Sequence, residues 1–218
     1  MSDPIARILG SYSAGFFRQS LEYADAGFGE AWTLASRHAE EPEHANMLGQ
    51  LRHARCEAGI RKAARDSGLK VLAPHTKPAG GRYSLIEGGG VYLIRSNIQR
   101  HCGPPRATAF RQQWATVNSW LDPLQPDLLR PTAPPASDRL CGMLVITAHP
   151  RRGEQTVPAY VGLGIPNAAL TDWVRLIALT DLLALYHDAD AAARTPIEAT
   201  VEVKDVAVPR LKKRPDAG

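Results

Sequence analysis

The hydrophobic period of this chain changes once, near residue 70, and that change limits what it can fold into. Before it, residues 4–70 are rich in Ala, Leu, Glu and Arg, with no proline between Pro4 and Pro42. Such a stretch favours helix. It predicts a first helix over 4–38, capped by Ser2 or Asp3, with Pro4 in its first turn and a weak point at Gly27 and Gly29. Acidic residues around Pro42 start a second helix, which runs over 42–67 and is closed by Gly68.

From Val71 onward the apolar residues come in short runs. RYSLI and VYLIRSNI flank EGGG, which predicts a hairpin over 82–98. In residues 107–121, Phe110, Trp114, Val117 and Leu121 are spaced four, three and four apart, the period of an amphipathic helix. Five prolines between 123 and 135 mark a linker or an extended surface loop. LCGMLVITAH, at 140–149, is apolar throughout and predicts a buried strand with Leu144, Val145 and Ile146 inside. After the turn PRRGEQ, a second strand is expected over 157–166. A helix over 171–187 follows, capped by Asn167 or Thr171. The alternation in IEATVEVKDVAV predicts a last strand over 197–208.

The expected order is therefore α, α, β, β, α, β, β, α, β. Its strands come mostly as hairpins rather than as repeated βαβ units. The fold class that follows is α+β: an N-terminal helical pair, then a mainly antiparallel sheet with two packed helices. The expected division is a helical region 1–70, an α+β region 71–208 packed with it as one unit, and a basic tail 209–218.

Composition narrows the function classes. No apolar run approaches the length of a membrane span, and MSDPIARILG lacks the pattern of a signal peptide. Cys56, Cys102 and Cys141 are odd in number and form no CxxC pair, which argues against a disulfide framework or a zinc ribbon. A reducing, cytoplasmic setting is expected, with Cys56 and Cys141 as small core residues. The net charge is +4, and 20 of the 26 basic residues are Arg. That bias fits a GC-rich coding sequence, and it also fits bidentate contacts to phosphate.

Two basic groupings stand out. Arg52, His53, Arg55, Arg61, Lys62 and Arg65 share the second predicted helix, and Arg55, Lys62 and Arg65 form a stripe on it. The segment from Arg95 to Arg111 holds Arg95, Arg100, His101, Arg106 and Arg111 and no acidic residue. Arg151 and Arg152 form a turn between two strands, and a sheet that brought these loops together would present a positive concave surface.

Catalytic signatures are incomplete. The HAE at 38–40 lacks the P-C-x-x-C that a zinc deaminase site needs. Glu202 and Lys204 form an E-x-K on the last predicted strand, without an acidic partner on a neighbouring strand. There is no P-loop, no G-x-G-x-x-G and no G-x-S-x-G. No metal or cofactor is expected. The sequence points to a non-catalytic nucleic-acid-binding protein, a possible subunit of a prokaryotic nucleoprotein assembly. The expected contacts run through Arg52, Arg55, Lys62, Arg65, Arg95, Arg100, His101, Arg106, Arg111, Arg151 and Arg152. The alternatives are a protein-binding adaptor, for which the proline-rich segment and Trp114, Trp120 and Trp173 speak, and a metal-dependent nuclease or other hydrolase.

Overall fold

The computed structural model describes residues 3–76, 81–98, 103–121, 139–150 and 153–193. The elements are α1 (Pro4–Ser11), α2 (Ala14–His38), α3 (Glu43–Asp66), β1 (Lys70–Leu72), β2 (Leu85–Gly88), β3 (Val91–Asn97), α4 (Ala109–Ala115) continued by a 3₁₀ turn (Thr116–Leu121), β4 (Leu140–Ala148), β5 (Pro158–Pro166), β6 (Trp173–Ala178) and α5 (Leu179–Ala193). The six strands form one open sheet in the order β1-β2-β3-β4-β5-β6. Every pairing is antiparallel except β3 with β4, which is parallel. The class is α+β.

The two sheet faces bury different helices. Val91 and Leu93 of β3, with Leu140, Leu144 and Ile146 of β4, pack against α1, α2, α3 and α5 through Ile8, Phe16, Phe17, Ile60 and Leu182. Ile94 and Ile98, with Cys141, Met143 and Val145, face α4 through Phe110, Trp114 and Ala115. Strand β4 is covered on both sides, which is why it reads as one apolar run. Burial lifts the Cys56 thiol to about 11 and that of Cys141 to about 12, so both stay protonated core residues.

Local signals explain most element ends. Asp3 accepts from the Ile5 N–H at 3.1 Å ahead of Pro4, and Gly68 takes a left-handed φ of 70° at the end of α3. Gly89 and Gly90, with φ of 54° and 79°, make the tight turn between β2 and β3.

Three expectations need correction. The first helix breaks at Tyr12 and Ser13, not at Gly27 or Gly29. Ser13 Oγ caps the new helix by accepting from the Phe16 N–H, while Tyr12 leaves the helix so that its hydroxyl can donate to the Val91 carbonyl at 2.8 Å. Residues 107–121 tighten to a 3₁₀ turn after Ala115. The predicted helix over 171–187 starts only at Leu179, because 173–178 is strand β6. Asn167 does cap, but its Oδ1 accepts from Thr171 N and Asp172 N within the β5–β6 turn. A register shift at Pro166 puts Trp173 and Leu176 on one face and Val174 and Ile177 on the other, and that spacing of three imitates a helix. Strand β1 was not foreseen. The expected strand 197–208, the tail 209–218, Cys102 and the proline-rich residues 122–138 lie outside the described residues.

Gly27 and Gly59 let α2 and α3 approach closely. A Cβ on Gly59 would lie 2.6 Å from Tyr23 Cβ, and one on Gly27 would lie 3.2 Å from Arg55 Cβ. Gly59→Ala is therefore expected to destabilise by about 1–3 kcal/mol through overpacking, despite the better helix propensity of alanine. Thermal unfolding of the variant checks this, and an unchanged or raised midpoint would contradict it.

Candidate nucleic-acid interface

The parallel pair decides where the basic segments meet. Asn97 at the end of β3 is level with Ile146 near the end of β4, so the chain leaves both strands at the same edge of the molecule. Helix α3 links the two exits. Its Arg52 donates to the backbone carbonyl and to Oε1 (3.0 Å) of Gln155 in the β4–β5 turn. Gln155 in turn donates to the Pro150 and Gly153 carbonyls at 2.8 and 3.0 Å, which holds that turn closed. The Arg52 guanidinium also lies 4.5 Å from the Phe28 ring centroid, and burial lowers its pKa.

The next residue of α3, His53, meets Arg95 at the end of β3. A guanidinium can only donate, so His53 Nδ1 accepts, and its proton sits on Nε2. Burial and the Arg95 charge both hold the imidazole below its usual range, although much of the residue remains exposed. Arg95 itself is 3% exposed. Its Nε donates to Glu57 Oε1 at 2.9 Å and its Nη1 donates to Asn97 Oδ1. Glu57 is equally buried and also accepts from the Ser84 N–H at 2.7 Å and from the Ser84 hydroxyl. Burial alone would raise its pKa. Arg95 and Ser84 outweigh burial and hold the carboxyl below its ordinary range. Arg61, four residues on, donates to Ser84 Oγ at 3.1 Å.

Arg111 reaches the same place from α4. Its Nε and Nη2 donate to the Arg95 carbonyl at 3.3 Å, and its Nη1 donates to the Arg106 carbonyl at 3.3 Å. Arg111 is 8% exposed and forms no ion pair among the described residues. Burial, then the charges of Arg95 and Arg106, push its pKa down to about 10. Arg106 stands exposed in the connection before α4.

The structure thus sorts the predicted residues into two groups. Arg52, Arg95, Arg106 and Arg111 lie toward the ends of β3 and β4, where Arg95 bonds the buried carboxylate of Glu57 and Arg111 feels its charge. Arg55, Lys62 and Arg65 are exposed elsewhere on α3. Arg55 pairs with Glu30 at 3.3 Å, and Lys62 pairs with Asp66 at 2.9 Å beside the Tyr23 ring. Arg100, His101, Arg151 and Arg152 lie outside the described residues. Glu57, Ser84 and Asn97 were missed in the sequence. Glu57 carried one usable signal, a carboxylate one helical turn from both His53 and Arg61.

Among the described residues no group of three or more His, Cys, Asp or Glu could hold a metal ion, and no helix is long and apolar enough to cross a membrane. No family model matches the chain, and neither a curated protein nor a solved structure is significantly similar to it.

Proposed function

We propose that the protein binds the phosphate backbone of nucleic acid, without cleaving it, through the sheet edge where β3 and β4 end. One observation carries this reading. The parallel pairing brings the two loop-bearing strand ends together beside Arg52, Arg95, Arg106 and Arg111, where the only buried carboxylate among the described residues is already matched to Arg95. The surplus is positive, and Arg106 offers it to solvent. Buried partners fix Arg95 and Arg111, so these two shape the field of the edge, and Arg106 is the exposed side chain that meets a phosphate at the surface. The loop arginines Arg100, Arg151 and Arg152 belong to this proposal by their place in the sequence.

Phosphate contacts release counterions, so each contact adds a fixed amount to the salt dependence of binding. Arg106→Ala should flatten the slope of log K against log salt by about 0.7 to 0.9 and weaken binding equally for all sequences. Arg55→Ala, on the outer side of α3, should leave the slope unchanged. A salt titration with a labelled oligonucleotide reads both. Equal slopes for the parent and Arg106→Ala would refute this site.

A further inference from the structure

We propose that α4 and the ends of β3 and β4 enclose a seat for a single phosphoryl group, built from Ser96, Thr147, Thr108 and Arg111. The inference deepens the nucleic-acid reading and rests on it for the natural source of that group. It starts from polar atoms left over by the fold. Ser96 is fully buried and Thr147 is 3% exposed, and neither hydroxyl has a hydrogen-bond partner among the described residues. Thr108 Oγ1 is buried and equally without one, although the residue occupies the capping position of α4. Buried hydroxyls normally find partners, so three left over in one region are informative.

Register places the first two on neighbouring strands. Ser96 is level with Val145, and Thr147 lies two residues further along β4 on the same face, the one that packs against α4. Helix α4 and its 3₁₀ turn run back over this face. Asn118 bonds Cys141 at the start of β4, whereas Arg111 bonds Arg95, which is level with Leu144. Thr108 precedes Arg111 by three residues, so it shares the sheet-facing stripe of Arg111 and Ala115 one turn nearer the strand ends. That is the level of Ser96 and Thr147.

The chemistry selects the ligand. The hydroxyls come from three separate elements, β3, β4 and the start of α4. Arg111 adds a buried positive charge that bonds two backbone carbonyls and lies over the Phe110 ring, and the two further guanidiniums beside it outweigh the field of Glu57. A buried charge in this state is stabilised by an anion. Hydroxyls drawn from three elements suit a tetrahedral oxyanion with several acceptor oxygens better than a planar carboxylate with two. A cation would be repelled. The phosphoryl group can come from a nucleic-acid backbone or from a small phosphorylated molecule.

The test uses the full chain and the double variant Ser96→Ala/Thr147→Val, which removes two hydroxyls with little change of volume. Thermal unfolding is followed against inorganic phosphate, with chloride at equal ionic strength as control, and binding of a mononucleotide and a labelled oligonucleotide is measured in parallel. Phosphate should raise the midpoint of the parent saturably where chloride does not. The double variant should bind phosphate more weakly by about tenfold per hydroxyl removed, as for loss of a hydrogen bond to a charged group. The seat is refuted if phosphate does not stabilise the parent beyond chloride, or if parent and variant respond alike; oligonucleotide binding that persists in that event leaves the surface reading standing. Saturable phosphate and mononucleotide binding without oligonucleotide binding supports the seat, assigns it to a small phosphorylated molecule and removes the nucleic-acid reading.

Discussion

Glu57→Ala is expected to cost about 3–5 kcal/mol of folding stability, the loss seen when one partner of a buried ion pair is removed. The alanine would leave the Arg95 guanidinium, 3% exposed, with no carboxylate, and would free the Ser84 N–H in the same step, while the Ser84 hydroxyl keeps the carbonyl of residue 57 and Arg61. Urea unfolding measures the loss. Replacing both partners with apolar residues (Glu57→Leu with Arg95→Met) should cost clearly less than the two single changes summed, because no charge is then left buried. The same cluster sets the response to acid. The folded-state pKa of Glu57 lies below its ordinary 4.5, so its contribution is present above that value and is lost as pH falls through the folded pKa. His53 also has a lowered folded pKa, so the unfolded chain takes up its proton first, and stability declines as pH falls below 6.5. Both groups act in the same direction. The parent should weaken in two stages on acidification, and Glu57→Ala should lack the lower one. A parent whose stability is flat from pH 7 to pH 4 would contradict the cluster.

Asn118→Ala is expected to cost about 3 kcal/mol, although Asn118 lies far from that charge cluster. Its side chain is wholly buried and bonds both β4 and β5 just past the Met143–Gly164 pair of their ladder. Nδ2 donates to the Cys141 and Pro166 carbonyls at 2.8 Å each, and Oδ1 accepts from the Cys141 N–H at 2.8 Å. Truncation leaves three buried backbone groups short of a partner, each carrying a desolvation penalty of about 1–3 kcal/mol that local relaxation partly relieves. Asn118→Asp should be no better, since a carboxylate cannot donate to the two carbonyls and brings a buried charge. A shifted urea midpoint at constant m-value is the expected observation. A loss below about 0.5 kcal/mol, within the range of ordinary surface substitutions, would show that the link does not hold the sheet.

Much of the fold is legible in the sequence because short-range chemistry decides it. Asp3 with Pro4 starts a helix, Gly68 ends one, Gly89 and Gly90 turn a hairpin, and the run 140–148 has no polar face to offer water. The errors arise where a distant contact overrides the local pattern. Tyr12 abandons a good helix to reach Val91, and the bulge opposite Pro166 disguises β6 as a helix. The parallel pairing of β3 with β4 has no local signature, because a crossover from 98 to 139 permits either direction. The site shares that fate. Its arginines are visible as a cluster in the chain, but nothing short-range shows that Arg95 turns inward to Glu57, 38 residues away, while Arg106 stays in water.

The edge formed by the ends of β3 and β4 is the proposed nucleic-acid-binding surface. Amide hydrogen exchange of the protein, alone and with a saturating oligonucleotide at low salt, tests it most directly. The prediction is slowed exchange in 103–111 and 153–157, with the outer surface of α2 and α3 around Tyr23, Arg55 and Lys62 unchanged. Protection confined to that outer surface, or none at either place, would contradict it.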